Sequence, residues 1–268
     1  MAGGGALPLL LAHAAQSAGW IIQYQSFVAR PDVSNLDIKP IDISKPLDIV
    51  LGIRRFKATH ICMVGGVNVS DKGREGFFKY LGGRKRQTKP SGDTGLSKLG
   101  KALEIATGAK LMGVHEIMPE LLAPVGHIAG PKLSKSTIVD GCFALETAAS
   151  AGALDLGQAV VCSGNRVIAV EDIAGTDALM LRVKGFHEAG LVGDGKSVLI
   201  LAKAKKPRQP MFADLPAIGP DTILAAEAAG ISAVFVEADK SIIIERDKLD
   251  TLAEQHCVSV FGATVDGR

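Results

Sequence analysis

The sequence predicts an α/β protein of two domains, with a parallel sheet and crossover helices in the first part and a mixed α/β domain in the second. Three observations carry this. The 268 residues are 47% apolar, 22% charged and only 4% aromatic, the composition of a globular chain rich in alanine, glycine and valine rather than of a disordered or fibrous one. That length suffices for one large or two modest hydrophobic cores. Helical and extended patterns alternate through the first part, the order in which parallel strands are joined by helices.

In chain order, Pro8 opens a helical turn where a missing N–H costs nothing, and residues 9–18 have helix-forming composition closed by Gly19. Residues 20–27, β-branched and aromatic, read as a strand, and so do residues 60–66, which end in a glycine pair; residues 46–57 read as a helix between them. The basic stretch 82–93, rich in glycine and proline, reads as a long loop, and 95–107 as a weaker helix. From 119 to 136 proline and glycine recur without periodicity, as in an interdomain linker, so the boundary is expected near residue 130 and the domains at 1–130 and 131–268. Residues 137–151 form an amphipathic helix, and two apolar runs flank Ser163-Gly164-Asn165 as a hairpin. Strands are expected at 197–204, 232–238, 241–246 and 257–263, and helices at 220–229 and 246–256.

Charge and cysteine content narrow the function. A net charge of +2 gives no reason to invoke nucleic acid as a partner. Cys62, Cys142, Cys162 and Cys257 lack the spacing of a zinc site or a disulfide framework, which fits a reducing cytoplasm. The start lacks a basic signal-peptide region and no apolar run reaches membrane-spanning length, so any membrane contact is expected to be peripheral.

Three segments carry chemistry. Gly3-Gly4-Gly5-Ala6-Leu7-Pro8 departs from the dinucleotide fingerprint, because proline stands where the third glycine belongs and the following strand ends without an acid for a ribose, the nearest being Asp32. The glycine turn then reads either as an anion site of N–H groups at a helix start or as a tight turn with no ligand. Only Met1 and Ala2 precede it, so the strand that normally launches such a turn is expected to be missing. In residues 167–182 a strand ends in Glu171-Asp172 and a helix opens at Thr176-Asp177; these side chains serve as helix caps, or as oxygen ligands for a divalent cation facing a phosphate, or as both. In residues 199–223 a buried strand delivers Lys203, Lys205, Lys206 and Arg208 into a proline-bounded loop ahead of Asp214. That loop is either a solvated basic face or a set of cations and a carboxylate around one diphosphate, the combination that phosphoanhydride hydrolysis with Mg²⁺ requires.

Taken in order, Gly3 to Pro8, Gly65-Gly66-Val67, Gly92-Asp93, Leu154-Asp155-Leu156-Gly157-Gln158-Ala159-Val160, Gly175-Thr176-Asp177-Ala178-Leu179-Met180-Leu181-Arg182, Leu201-Ala202-Lys203 with Lys206-Pro207, and Asp214-Leu215-Pro216 resemble the motifs of one family. It is the UDP-2,3-diacylglucosamine diphosphatase of the lipid A pathway that is unrelated to the calcineurin-like type. The resemblance implies an N-terminal Rossmann-like domain, a C-terminal catalytic α/β domain and a lipid cleft between them. It implies Mg²⁺-dependent hydrolysis of the acylated UDP-sugar to UMP and 2,3-diacylglucosamine 1-phosphate, with water directed at the sugar-side phosphorus.

Carried over residue by residue, the resemblance makes Asp214 the essential carboxylate and brings Thr176 and Asp177 to the phosphate. It assigns Gly4, Gly5, Ala6, Gly66, Gln158, Lys203, Lys206 and Arg182 to substrate binding, and Asp214, Glu171 and Asp177 to Mg²⁺. A cytoplasmic protein peripheral to the inner membrane, with room for a homodimer, goes with it. The chain departs from the pattern at Asn68-Val69, Thr94, Ala174 and Lys205, most heavily in the first half. The alternative reading is a UDP-sugar or acyl-lipid binding protein that has lost hydrolysis.

Overall fold

The alternation of helix and strand begins within the first residues of the chain. The computed structural model describes residues 1–30, 36, 38–42, 44–66, 92–193, 198–212 and 215–265. It divides into two units, Met1–Pro119 with Gln209–Asp214, and Glu120–Arg208 with Leu215–Arg268.

The first unit runs α1 (Leu7–Ser17), β1 (Tyr24–Ser26), β2 (Ile38–Pro40), α2 (Pro46–Phe56), β3 (His60–Cys62), α3 (Gly92–Thr107), β4 (Lys110–Met112) and a single turn α4 (Val114–Ile117). Prolines in the first turns of α1 and α2 sit where the fixed φ is already helical. The pairs β1–β2 and β3–β4 are parallel. Ala2 joins them, bridging in parallel to Ser26 on one side and to Val64 on the other. Ala2 N donates to Gln25 O at 2.7 Å, Gly3 N to Val64 O at 2.8 Å and Phe27 N to Ala2 O at 3.0 Å. The order across this unit is therefore β2, β1, Ala2, β3, β4, all parallel.

The backbone around Ala2 thus takes the place of the strand that the sequence leaves out ahead of the glycine turn. It is too short and too glycine-rich to show a strand pattern. Residues 20–23, read as strand, stand outside the ladder, and Ile21 is 87% exposed. Ile49, Val50 and Ile53 of α2 pack with Leu103 of α3 and Ile61 of β3, while Ala12 of α1 packs with Ala2 and Tyr24. Of the loop expected at 82–93, residues 82–91 lie outside the described residues, and Gly92 and Asp93 instead begin α3.

The second unit contains β5 (Gly126–Ala129), α5 (Lys135–Ala153), β6 (Ala159–Ser163), β7 (Arg166–Val170), α6 (Gly175–Glu188), β8 (Leu199–Lys203), β9 (Ala217–Ile218), α7 (Pro220–Ala228), β10 (Ala233–Glu237), β11 (Ile242–Ile243), α8 (Arg246–Gln255) and β12 (Ser259–Ala263). Six strands form one sheet in the order β5-β12-β10-β8-β6-β7. The middle strands β12, β10 and β8 are parallel, while β5 and β6 run against them. Strand β5 lies within the stretch read as linker; as an edge strand it tolerates the flanking prolines and glycines that a central strand would not. Every residue of β8 and β10 is buried, as a parallel strand covered on both faces requires.

Alternate residues of these strands enter two cores. Ile200, Ala202 and Phe235 face Ala144, Leu145 and Ala148 of α5. Leu199, Leu201, Val234 and Val236 join Leu179 and Val183 of α6, Ile223 of α7 and Leu249 of α8. The unit is thus a three-layer α/β/α arrangement.

Gly141 marks how closely α5 approaches the sheet, since a Cβ there would stand 2.0 Å from the ring of Phe235, which has 0% exposure. Alanine would gain roughly 1 kcal/mol of helix propensity. Overpacking a closed core costs about 1–3 kcal/mol, and a ring that cannot move puts this site at the upper end. Gly141→Ala should therefore lower the unfolding free energy obtained from a denaturant melt by a net ~1–2 kcal/mol, and an unchanged value would remove the close packing. Thiol chemistry gives a second check. Burial pushes the Cys162 thiol up to about 11, whereas Cys257 is exposed. Iodoacetamide at pH 8 should modify Cys257 well before Cys162.

Candidate functional site

Strands β8 and β10 end in Lys203 and Glu237, charged residues only 6% and 3% exposed. Charges this deep persist only when partnered. Lys203 Nζ donates to the carbonyl of Ala217 at 3.0 Å. Glu237 accepts from the Lys240 ammonium at 2.7 Å and from Lys205 N at 2.9 Å. Register places Ala159, the first residue of the antiparallel β6, beside Lys203. The start of β6, the ends of β7, β8 and β10, and the loop 204–208 therefore share one edge of the sheet. In open α/β sheets the carboxyl ends of strands are where ligands bind.

Helix α5 reaches that edge through Leu154-Asp155-Leu156-Gly157. Leu156 N donates to Ala151 O at 3.1 Å, closing the helix. Asp155 adopts φ 59°, a left-handed conformation that a short polar side chain tolerates. Its carboxylate receives the Lys206 ammonium at 2.8 Å. Gly157 has no room for a side chain, because a Cβ would lie 2.6 Å from the carbonyl oxygen of Glu171.

That approach exists because of Glu171. Its buried carboxylate accepts Gln158 N at 2.6 Å and Ala159 N at 3.1 Å on Oε2, and the Thr176 hydroxyl at 2.7 Å on Oε1. One side chain thus holds the start of β6, the end of β7 and the first turn of α6. Bonds to a charged acceptor are each about twice as strong as neutral ones. Beyond this clamp, Asp177 stands exposed in the first turn of α6, where the helix dipole favours negative charge. Arg182 donates to Asp172 at 2.9 Å and to the carbonyl of Val170 at 2.7 Å. The Ala174 N–H and then the Arg182 guanidinium hold the Asp172 carboxyl below the usual carboxylate range. Gln158 Oε1 is buried without a hydrogen-bond partner among the described residues.

In the first unit, the glycine turn leads into α1. Gly4 N donates to Gly66 O at 2.8 Å, which brings Gly4, Gly5, Ala6 and Gly66 together. Arg30 donates to the carbonyls of Gly3 and Gly5 at 3.3 and 3.1 Å, placing a cation against the turn. The sequence reading missed this arginine because 24 residues separate it from the turn it touches.

The structure therefore gathers Gln158, Glu171, Thr176, Asp177, Arg182, Lys203 and Lys206 along one edge of the second unit. It gathers Gly4, Gly5, Ala6 and Gly66 in the first. Asp214 lies outside the described residues. Among those described, no group of three or more His, Cys, Asp or Glu side chains is placed to hold a metal. Three donors engage Glu171, and Asp172 faces Arg182. The exposed Asp177 nonetheless suits Mg²⁺, which takes one or two carboxylates and fills its shell with water and substrate oxygens.

Comparison with known proteins adds family. The model of the LpxI N-terminal domain matches residues 1–121 and that of the LpxI C-terminal domain residues 124–261. The UDP-2,3-diacylglucosamine pyrophosphatase LpxI of Caulobacter vibrioides (strain ATCC 19089 / CIP 103742 / CB 15) is 32% identical over 275 aligned positions, which cover 98% of this chain and 95% of the relative.

Glu171 separates a clamp from a metal ligand. Glu171→Ala leaves two backbone N–H groups without their acceptor and should cost about 2–4 kcal/mol in denaturant unfolding. Glu171→Gln can present its carbonyl to those N–H groups and its amide to Thr176, so it should recover most of that stability together with activity. A Gln variant that is stable but inactive would instead make Glu171 a ligand.

Proposed function

The chain belongs to the LpxI family, and we propose that it hydrolyses the diphosphate of UDP-2,3-diacylglucosamine with Mg²⁺, releasing UMP and 2,3-diacylglucosamine 1-phosphate for lipid A synthesis. The observation that carries this reading is the relation to the Caulobacter pyrophosphatase, which runs through 98% of the chain and so takes in both units. The motifs and the sheet edge support it independently of the name.

In the reaction, a water oxygen bonds to one phosphorus, the bridging P–O bond breaks, and the water's proton passes to solvent or to a carboxylate. Such a step needs positioning and charge stabilisation more than a covalent nucleophile. We assign charge stabilisation to Lys203 and Lys206 and a hydrogen bond from substrate to Gln158. Thr176 and Asp177 meet the phosphate side at the start of α6, and Arg182 takes up charge by exchanging Asp172 for a phosphate oxygen. Asp214 is the essential carboxylate, and Mg²⁺, when bound, offsets charge on the diphosphate oxygens.

The first unit's strand order reads as Rossmann-like, with Gly4, Gly5, Ala6 and Gly66 forming an anion-binding turn at a helix start. We place the reaction in the cytoplasm, with the protein peripheral to the inner membrane that supplies its lipid. Among the described residues no helix is long and apolar enough to cross a membrane.

The test is release of UMP from the acylated UDP-sugar by the purified protein. Turnover should require Mg²⁺, stop with EDTA and return when the ion is restored. Asp214→Ala should reduce kcat by ~100-fold or more, the scale of losing a positioned acid–base group, with substrate affinity changed less than ~10-fold. Full turnover in Asp214→Ala would remove that residue from the mechanism. Tight binding by the wild-type protein without UMP release would favour a binding protein instead.

A further inference from the structure

The strands of the first unit run parallel, so its sheet has two unlike edges. The glycine turn follows Ala2 at the carboxyl ends of the strands. At the opposite edge, residues 18–23, 57–59 and 108–109 lead into β1, β3 and β4, and α1, α2 and α3 end there. Large apolar side chains are left in solvent along this edge. Ile21 is 87% exposed, Trp20 39%, and Ile105 in the last turn of α3 85%. Trp20 and Ile21 share one open depression with Phe56, Lys57, Ala58 and Thr59. The Trp20 ring meets His60 edge-on at 5.1 Å. Single exposed hydrophobic residues are ordinary, whereas adjacent ones mark contact surfaces.

The charge of the edge is one-sided. Lys57 caps α2 and is exposed, and Arg54 and Arg55 stand exposed in the turn before it. Across the ladder, His60 pairs with the exposed Lys110. Residues 18–23, 57–60 and 108–110 contain no aspartate or glutamate. Glu104, in the last turn of α3, is already engaged, its carboxylate accepting Leu111 N at 2.8 Å. A second copy docked through the same patch would bring like-charged lysines together. The complementary surface is therefore apolar and anionic. Binding to a bilayer grows with buried apolar area and with attraction to anionic lipid, and this edge offers both. Tryptophan also favours the headgroup level, and lysine reaches lipid phosphates from an apolar setting.

We propose that this edge of the first unit docks on an anionic lipid bilayer, with Trp20 and Ile21 entering the headgroup region and Lys57 and Lys110 meeting lipid phosphates. The proposal rests on the reading of a lipid-processing enzyme only for the choice of a bilayer, and it names the face that meets it. Docking by the amino ends of the strands leaves the glycine turn, at the other edge, uncovered.

Trp20 is the sole tryptophan of the chain, so its fluorescence reports on this edge. The full chain is titrated with vesicles of phosphatidylcholine alone and of phosphatidylcholine with phosphatidylglycerol in equal parts. Saturable binding to the anionic vesicles is expected, with a blue shift of Trp20, quenching by lipid brominated high on its chains, and loss at raised salt. Ile21→Ser should weaken that binding by about 10-fold. Lys57→Gln with Lys110→Gln should weaken it by roughly 25-fold, about 5-fold for each cation. Circular dichroism checks that both variants keep the fold.

No binding of the wild-type protein to anionic vesicles, equal binding to neutral ones, or undiminished binding by either folded variant would overturn the proposal. Vesicle binding with Trp20 unquenched would place the contact on another face and overturn it as well. A saturable Trp20 response to poly-glutamate with none to vesicles would assign the edge to an acidic protein instead. These vesicles contain no substrate, so the outcome is separable from the proposed activity. UMP release from substrate in detergent micelles by a protein that fails to bind vesicles would sink only the docking edge.

Discussion

The Glu171 carboxylate is the constraint around which the edge of the second unit is arranged. It gathers donors from residues 158 and 159, at the start of β6, and from residue 176, in the first turn of α6, onto two oxygen atoms. Without it, two backbone N–H groups at the start of β6 would be buried unpaired, and the first turn of α6 would lose its tie to the sheet. The contact between Gly157 and the Glu171 backbone is a consequence, since only a residue without a side chain lets the two segments meet. Gln158 and Thr176 then face one edge in fixed positions, which is what a site for an extended anionic ligand requires.

Charge at that edge is managed by pairing. Glu237 is met by the Lys240 ammonium and the Lys205 amide, Asp155 by Lys206, and Asp172 by Arg182. The pairs differ in what they can do. Lys203 and Glu237 are anchored at the ends of buried strands and keep their places. The Arg182–Asp172 pair is solvated, and exposed pairs of this kind are weak, so exchange of partners with an incoming phosphate costs little. Buried charges thus hold fixed positions, Lys203 at the edge itself, while the exposed Arg182–Asp172 pair is able to exchange partners with a ligand.

Much of this architecture is visible in the sequence, for identifiable reasons. The runs that become β8 and β10 are continuously apolar because both faces of the sheet are covered, and α7 announces itself through Gly219 and Pro220. The mixed α/β class and the family follow from such segments and from motifs in register. Other features depend on contacts distant in sequence. Strand β5 is made by pairing with β12 across more than a hundred residues, and its own composition is that of a loop. The backbone around Ala2 gains its place only from neighbours at Ser26 and Val64. Glu171 reads as a metal ligand in the sequence because an acid at a strand end does not reveal which donors surround it, here Gln158 N, Ala159 N and the Thr176 hydroxyl. Arg30 carries no local signal of its position beside the glycine turn.

The most direct test of the clamp is amide hydrogen exchange resolved at residues 157–161, in the wild-type protein and in Glu171→Ala. The account predicts slow exchange at Gln158 and Ala159 in the wild type and fast exchange at both in the variant, with Val161 in the middle of β6 protected in each. Equal protection of Gln158 and Ala159 in the two proteins would contradict it.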